Sequence, residues 1–369
     1  MSDRPRILLI GGDGGLSGVP RHLCHVIQAL GDDARIAVAH DRNRGGYDFV
    51  RNYGAESIEV EGLATQRSPK RLWQAWRWVQ SARTAGRYDL IWAHARMSVL
   101  FLRLGPHRSA TPLMLTYHGL PFDPGHRPWA RRIGRLVEAA LLRLAPAMIL
   151  VVLSKTAAED LRAALPKATA RHRILVLPNS SDLRPLPMAP RSDAPQIVMT
   201  GRASWQKNLV AAGRMLERWP EARLTMCGDG TKSNAFTAEL QSSIAADTLA
   251  RIERAGPVPD VRPALSRADL YLMTSRYEGV PIGALEAFEA GLPLAMPRGH
   301  HDLLDHHPLS AAIDPNDPDE VADAARALVE TYRSDPMGWS ERIRAAWAMH
   351  YSLDTWSRKL RATVDAALK

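Results

Sequence analysis

The chain has almost no cysteine. Cys24 and Cys227 are the only thiols in 369 residues, so no disulfide framework can hold the fold, and this usage suits a reducing cytosol. Long apolar runs are missing too. Ile7–Ile10 stops at a row of glycines, and the longest run, near Ala145–Leu153, falls well short of the ~20 residues that cross a bilayer. No secretory leader and no membrane-spanning helix are therefore expected. Acidic residues are scarce in the first half. Residues 1–185 hold 27 lysines and arginines against 15 acidic residues, and the remainder holds 21 against 24, which together make the net charge of +9. A basic first half points to an anionic partner, either a phosphorylated acceptor or an anionic membrane surface. Nucleic acid is not expected, because no base-reading motif accompanies the charge. Metal-ligand spacing is scarce as well. His300-His-Asp-Leu-Leu-Asp-His-His307 is the one tandem run, and it reads as an exposed polar loop rather than a metal site.

Apolar residues are plentiful at 46%, and this length is natural for two domains with separate cores. Arg4–Ile10 reads as a buried strand, Gly11–Gly18 as a glycine loop, and Val19–Leu30 as a helix, the order that sets backbone amides around phosphate or sugar oxygens. The dinucleotide fingerprint is not met, since Gly12-Asp-Gly14-Gly-Leu-Ser17 lacks the third glycine. Ala34–His40, Ser57–Val60 and Asp89–His94 follow as strands. Pro112–His118 is another, which puts a histidine at the ligand-binding end of a sheet; His94 is read as supporting it. Ile149–Ser154 is read as the last strand of this half.

Two basic, tryptophan-bearing segments stand between these strands. In Pro69–Val79, Trp73 and Trp76 at helical spacing are expected in the core, with a membrane interface as the alternative. In Pro128–Leu144 the apolar positions Trp129, Ile133, Val137, Ala140 and Leu144 make one helical face, expected to pack on the domain's own sheet.

Residues 183–195 are proline-dense and without periodicity, which marks a linker. A second α/β unit starts at Gln196. There Arg202 and Lys207 flank a strand-to-helix turn, where a planar cation and a point charge can grip a diphosphate. Further on, the strand Ala268–Met273 leads through Glu278-Gly-Val-Pro281 into a helix that stops at Gly291-Leu-Pro293. Glu278 stands just before that helix and Glu286 about a turn inside it. Taken singly, a glutamate such as Glu286 or Glu289 belongs on a solvated face; the combination with Gly279 and Pro281 outlines an oxygen-ligand site.

Glu278-Gly-Val-Pro-Ile-Gly-Ala-Leu-Glu286-Ala resembles the Glu-x7-Glu signature of the retaining GT4 glycosyltransferases. Gly201-Arg202-x4-Lys207 resembles that family's Gly-Arg-x4-Lys element, and His118-Gly119 its His-Gly. Leu16–Leu23 is similar to its Gly-Gly-Val-type loop, with Ser17 where glycine is usual, and Leu177–Asp182 to its Pro-Asn-Gly-x-Asp, with Ser180 in place of glycine. Ile252–Asp260 resembles the loop beside the nucleobase. The resemblance covers nearly the whole chain and is strongest over residues 196–297.

That resemblance implies an α/β GT-B fold: two doubly wound Rossmann-like domains facing a cleft, with a C-terminal helix returning to the N-terminal domain. Residues 1–182 would be the acceptor side, 183–195 the linker, 196–350 the donor-binding domain and 351–369 the returning helix. The implied activity is retaining transfer of a sugar from a UDP- or GDP-type donor to a hydroxyl of a cell-envelope, lipid-linked or polysaccharide glycan. No metal and no other cofactor are implied. Of the catalytic residues, Arg202 and Lys207 would hold the departing diphosphate, Glu278 the sugar, and His118 would orient donor and acceptor. Donor contacts would add Gly18, Gly201, Gly279, Val280, Pro281 and Ile282, with Glu286 on the ribose. The enzyme would be cytoplasmic, at the inner face of the membrane, because several lipid-modifying members dock through a basic, aromatic patch in this half. Two other readings stay open: a GT-B nucleotide-sugar epimerase and a non-catalytic basic protein that binds membranes.

Overall fold

A computed structural model describes every residue except 1–3, 65–67, 106–110, 184, 185, 187, 188, 190 and 191, and the side chain of His301. Much of the expected linker over 183–195 therefore lies outside the described residues. The chain divides into two compact units, residues 1–180 with 353–369, and residues 181–352.

In the first unit the chain runs β1 (Arg6–Ile10), α1 (Gly18–Leu30), β2 (Arg35–His40), α2 (Phe49–Asn52), β3 (Glu56–Glu59), α3 (Pro69–Thr84), β4 (Leu90–Ala93), α4 (Arg96–Arg103), β5 (Leu113–Tyr117), α5 (Pro128–Leu144), β6 (Ile149–Val152), α6 (Lys155–Ala164), α7 (Pro166–Thr169) and β7 (Arg173–Val176). Its sheet is parallel throughout, in the order β3-β2-β1-β4-β5-β6-β7. Helices cover both faces, so the central strands are apolar on both sides. Ile7 and Leu9 join one core, while Leu8 and Ile10 join the other. Ile149–Val152 is not the last strand, because β7 adds an edge beyond it. That edge is half-exposed, and its run Ile174–Leu177 is only four residues long.

The second unit runs β8 (Gln196–Thr200), α8 (Leu209–Glu217), β9 (Arg223–Cys227), α9 (Asn234–Ser243), α10 (Ala246–Leu249), β10 (Ile252–Gly256), α11 (Arg262–Arg267), β11 (Leu270–Leu272), α12 (Ile282–Glu289), β12 (Leu294–Pro297), α13 (His301–His306), β13 (Ser310–Ile313), α14 (Pro318–Ser334) and α15 (Pro336–His350). Its sheet, again parallel, has the order β10-β9-β8-β11-β12-β13. The first half of the supposed nucleobase loop is thus strand β10. The histidine run is helix α13 rather than a loop, and His307 beyond it is buried, its ring nitrogens bonded to Leu292 O and Leu309 N. Among the described residues no group of three or more His, Cys, Asp or Glu is placed to hold a metal ion.

The last helix, α16 (Leu353–Leu368), belongs to the first unit and packs on α1. Trp356, Leu360, Val364 and Ala367 enter the core there, at helical spacing. Trp356 Nε1 also donates to Pro178 O.

Helix α5 reverses the expected packing. Trp129 is 63% exposed, Ile133 53%, Leu136 71%, Val137 50% and Leu144 58%, so the apolar stripe faces outward. The inward face is made by Glu138, Ala139 and Leu142. The Glu138 carboxylate is buried, and its Oε1 accepts from both Arg103 of α4 and the Tyr117 hydroxyl of β5. Gly134 lets the helix lie against the Pro121 carbonyl, where an added Cβ would stand 2.2 Å away. In α3 the two tryptophans part company. Trp76 donates to Leu104 O and packs against the core, whereas Trp73 is 54% exposed beneath Arg77.

Candidate active site

In doubly wound sheets ligands sit beyond the carboxyl ends of the strands where the strand order reverses. In the second unit that point lies between β8 and β11, and the two loops leaving these strands are tied together. Arg276 N donates to Gln206 O, its guanidinium bonds Trp205 O and Asn208 Oδ1, and it stacks 4.9 Å over the Trp205 ring. The Thr274 hydroxyl donates to the carbonyls of Lys207 and Asn208. Asn208, the cap of α8, takes a left-handed conformation with φ 51°, a region asparagine tolerates.

Within this frame Lys207 and Glu278 meet, with Nζ and Oε1 2.7 Å apart and side chains only 23% and 12% exposed. Gln206 Nε2 donates to the same carboxylate oxygen at 3.1 Å. An ammonium has three donors, so pairing with Glu278 leaves others to face a ligand. The Lys207 stem lies over Gly201, where an added Cβ would come within 3.0–3.2 Å of its methylenes. A Cβ on Gly228, at the end of β9, would stand 2.0 Å from the Gly201 carbonyl. Arg202 is exposed beside this cluster.

Helix α12 starts hard against β8. An added Cβ on Gly283 would lie 2.0 Å from Thr200 Oγ1 and 2.8 Å from the Tyr271 hydroxyl, and those two oxygens are themselves 2.8 Å apart. Burial raises the Tyr271 pKa, and the nearby charges of Glu286 and Glu278 add to it. Pro281 caps α12 instead of opening its first turn. Glu286 is 7% exposed, so it does not sit on a solvated face. Glu289, also largely removed from water, has its pKa pushed up to about 7 by burial, and its Oε1 accepts from Leu183 N at 2.9 Å. The second unit thus brings together Gly201, Lys207, Glu278, Gly279, Val280, Pro281, Ile282 and Glu286, with Arg202 at the rim. Gln206, Thr274 and Arg276, which hold the loops, were not singled out by sequence; Arg276 lay in view two residues before Glu278.

Gly18 and His118 lie in the first unit. Gly18 opens α1 and is exposed. The glycine loop before it is filled by neighbouring backbone: an added Cβ on Gly14 would strike Arg42 O at 1.8 Å, and Gly12 N donates to the Tyr47 hydroxyl. His118 follows β5 directly, and burial lowers its pKa to about 4. His94, directly after β4, and His22 of α1 are 2% and 1% exposed, and burial holds both pKa values well below the usual histidine range.

Two family descriptions match the chain: "Glycosyl transferase 4-like domain" over residues 14–180 and "Glycosyl transferases group 1" over residues 194–331. The chain belongs to the GT4 glycosyltransferases. Its two parallel-sheet units have the GT-B fold of that family. A UDP-Gal:alpha-D-GlcNAc-diphosphoundecaprenol alpha-1,3-galactosyltransferase of Escherichia coli is 21% identical over 222 residues, 56% of this chain and 57% of that protein. A glycogen synthase of Geotalea daltonii is 27% identical over 176 residues, 45% of this chain and 36% of that protein. The chain thus matches about half or less of the length of these relatives. Among solved structures, sucrose-phosphate synthase of Thermosynechococcus elongatus superposes with a TM-score of 0.77 at 16% identity, covering 98% of this chain and 99% of the other. HepE of Anabaena, solved with UDP and glucose, gives 0.75 at 16% identity over 98% of this chain and 100% of the other.

Proposed function

We propose that this GT4 chain moves a sugar, with retention, from a UDP- or GDP-sugar to a hydroxyl of a glycan or lipid-linked acceptor. The observation that carries this reading is the Lys207–Glu278 pair, held by two stitched loops at the starts of α8 and α12. In the reaction the bond from the sugar's anomeric carbon to the β-phosphate oxygen breaks, and the acceptor oxygen bonds the same face of that carbon. The acceptor's proton passes to the departing diphosphate. Lys207 and Arg202 stabilise the charge that develops there, which is where fixed cations lower a barrier most. Glu278, with the backbone from Gly279 to Ile282, holds sugar hydroxyls, and Glu286 accepts from the ribose. Gly201 and Gly18 supply close backbone approach, and His118 orients donor and acceptor as a neutral imidazole. The arginine and lysine do the work a divalent cation would otherwise do, so turnover should survive EDTA. The HepE structure with UDP and glucose and the lipid-diphosphate galactosyltransferase support this donor and acceptor class.

Purified protein would be offered a panel of UDP- and GDP-sugars, with nucleoside diphosphate release followed with and without acceptor. Acceptor-dependent release with the anomeric configuration kept is the expected result. A C2-inverted free product would point to epimerisation instead, and no turnover on any donor would remove the reading.

The outward stripe of α5, rimmed by Arg132 and Arg143, supports a second element of the proposal: the enzyme works as a peripheral protein at the cytoplasmic face of an anionic membrane. Among the described residues no helix is long and apolar enough to cross a membrane. An interfacial helix needs apolar residues on one side and cations at its flanks, as α5 has. Sedimentation with phosphatidylglycerol vesicles should show binding that weakens as salt rises. Equal binding to neutral vesicles would count against it.

A further inference from the structure

Three histidines meet beyond the carboxyl ends of β4 and β5. His22 lies 5.1 Å from His94 and 5.2 Å from His118, ring centre to ring centre, while His94 and His118 are 6.0 Å apart. His22 is therefore the middle member. Trp92 and Trp356 pack on the same rings, with Trp92 4.5 Å from His94 and Trp356 5.8 Å from His22, and they shut out water. Both ring nitrogens of His94 and Nε2 of His118 are buried without a hydrogen-bond partner among the described residues, and the His22 nitrogens, buried with them, have only the Asn179 side chain in reach of a hydrogen bond. Buried polar atoms are rarely left so. A hydrogen bond of about 2.9 Å between ring nitrogens sets two imidazole centres roughly 5 Å apart. The spacing around His22 is that distance, so modest ring rotation links the three.

Burial lowers the pKa of all three rings, and the neighbouring imidazoles lower those of His22 and His94 further, so the set stays neutral. Each neutral imidazole then has one N–H and one lone pair. In a linked row the N–H groups must all point the same way, and the bond at one nitrogen dictates the proton at the other.

Resting on the transferase reading above, we propose that His22 and His94 are positioning residues which, with His118, form one neutral hydrogen-bonded imidazole row, and that this row decides which tautomer His118 presents to its ligand. Neither buried ring touches substrate. Their effect on transfer passes through the inward Nε2 of His118, and they explain why a candidate catalytic histidine is backed by two others instead of by a carboxylate.

The test reads the tautomer of His118 by nitrogen NMR of histidine-labelled protein, which needs no turnover and so stands apart from the fate of the transferase reading. Wild-type protein should show one His118 tautomer. His22→Phe breaks the middle link and should give a mixture, with kcat for transfer down at least about tenfold and the donor KM within about twofold. His22→Asn, which keeps a donor and an acceptor, should restore the single tautomer and most of kcat. His94→Phe, removing an end member, gives the same reading should His22→Phe fail to fold. A single unchanged tautomer in a folded Phe variant, or His22→Asn as impaired as His22→Phe, overturns the proposal.

Discussion

Lys207 and Glu278 each need the other at the residue scale, since both are largely withdrawn from water and share one contact of 2.7 Å. Lys207→Ala should lower kcat/KM for transfer at least about tenfold by removing a cation from the departing diphosphate, as measured with saturating acceptor. A folded variant with wild-type kinetics would end the assignment. Gly283 tests the packing beneath. Gly283→Ala drives a methyl into Thr200 Oγ1 and should cost about 1–3 kcal/mol of stability, read as a lower urea midpoint with an unchanged slope. These residues were legible because they are local in the chain: Glu278, Pro281, Glu286 and Gly291 announce one helix start and its end, and Gly201 with Lys207 announces another. His22 was not legible. It stands on α1, far in sequence from His94 and His118, and nothing in Arg21-His22-Leu23 marks a histidine that will be buried against them.

At the scale of elements, α5 shows what periodicity can and cannot reveal. The spacing of Trp129, Ile133, Val137, Ala140 and Leu144 identifies a helix and a shared face, but not the direction in which that face looks. Here a buried carboxylate takes the inward place that an apolar residue usually holds. Glu138→Ala would leave the Arg103 guanidinium buried without its partner and should destabilise by about 3–5 kcal/mol, measured by chemical unfolding. The outward pair Ile133→Ser with Leu136→Ser should leave stability within about ±0.5 kcal/mol yet abolish sedimentation with anionic vesicles. A stability loss comparable to that of Glu138→Ala would mean that the stripe is core. The central strands were readable as short apolar runs. β12 and β13 were not, because β12 ends on Pro297 and the β13 edge is half-solvated, so neither run nor alternation distinguishes them from loops, whereas β7 was passed over although Ile174–Leu177 is a short apolar run.

For the whole molecule, buried titratable groups govern the response to acid. His22, His94 and His118 in the first unit and His307 in the second all have folded pKa values below the usual 6.5, with His118 at about 4 and His307 at about 3, chiefly through burial. Below pH 6.5 the unfolded chain takes up protons that these folded rings refuse, so stability falls as pH drops, by up to about 1.4 kcal/mol per pH unit for each group. Asp123 and Glu289 act the other way. Burial raises both to about 7, and the stability they favour is present below the ordinary carboxylate range and is lost as pH rises towards 7. In the first unit three strongly shifted histidines outweigh one such carboxyl. A thermal scan should therefore show Tm greatest near pH 7 and dropping steeply between pH 6.5 and 5; a flat profile there would contradict these shifts. Helix α16 adds a matter of timing. The ring of Trp356 closes over His22, but it is translated only after the whole of Ser181–Ser352, which at about 5–20 residues per second takes roughly 10–30 s. The first unit thus starts before the second and is completed after it, so its histidine row stays open to water while the second unit is being made.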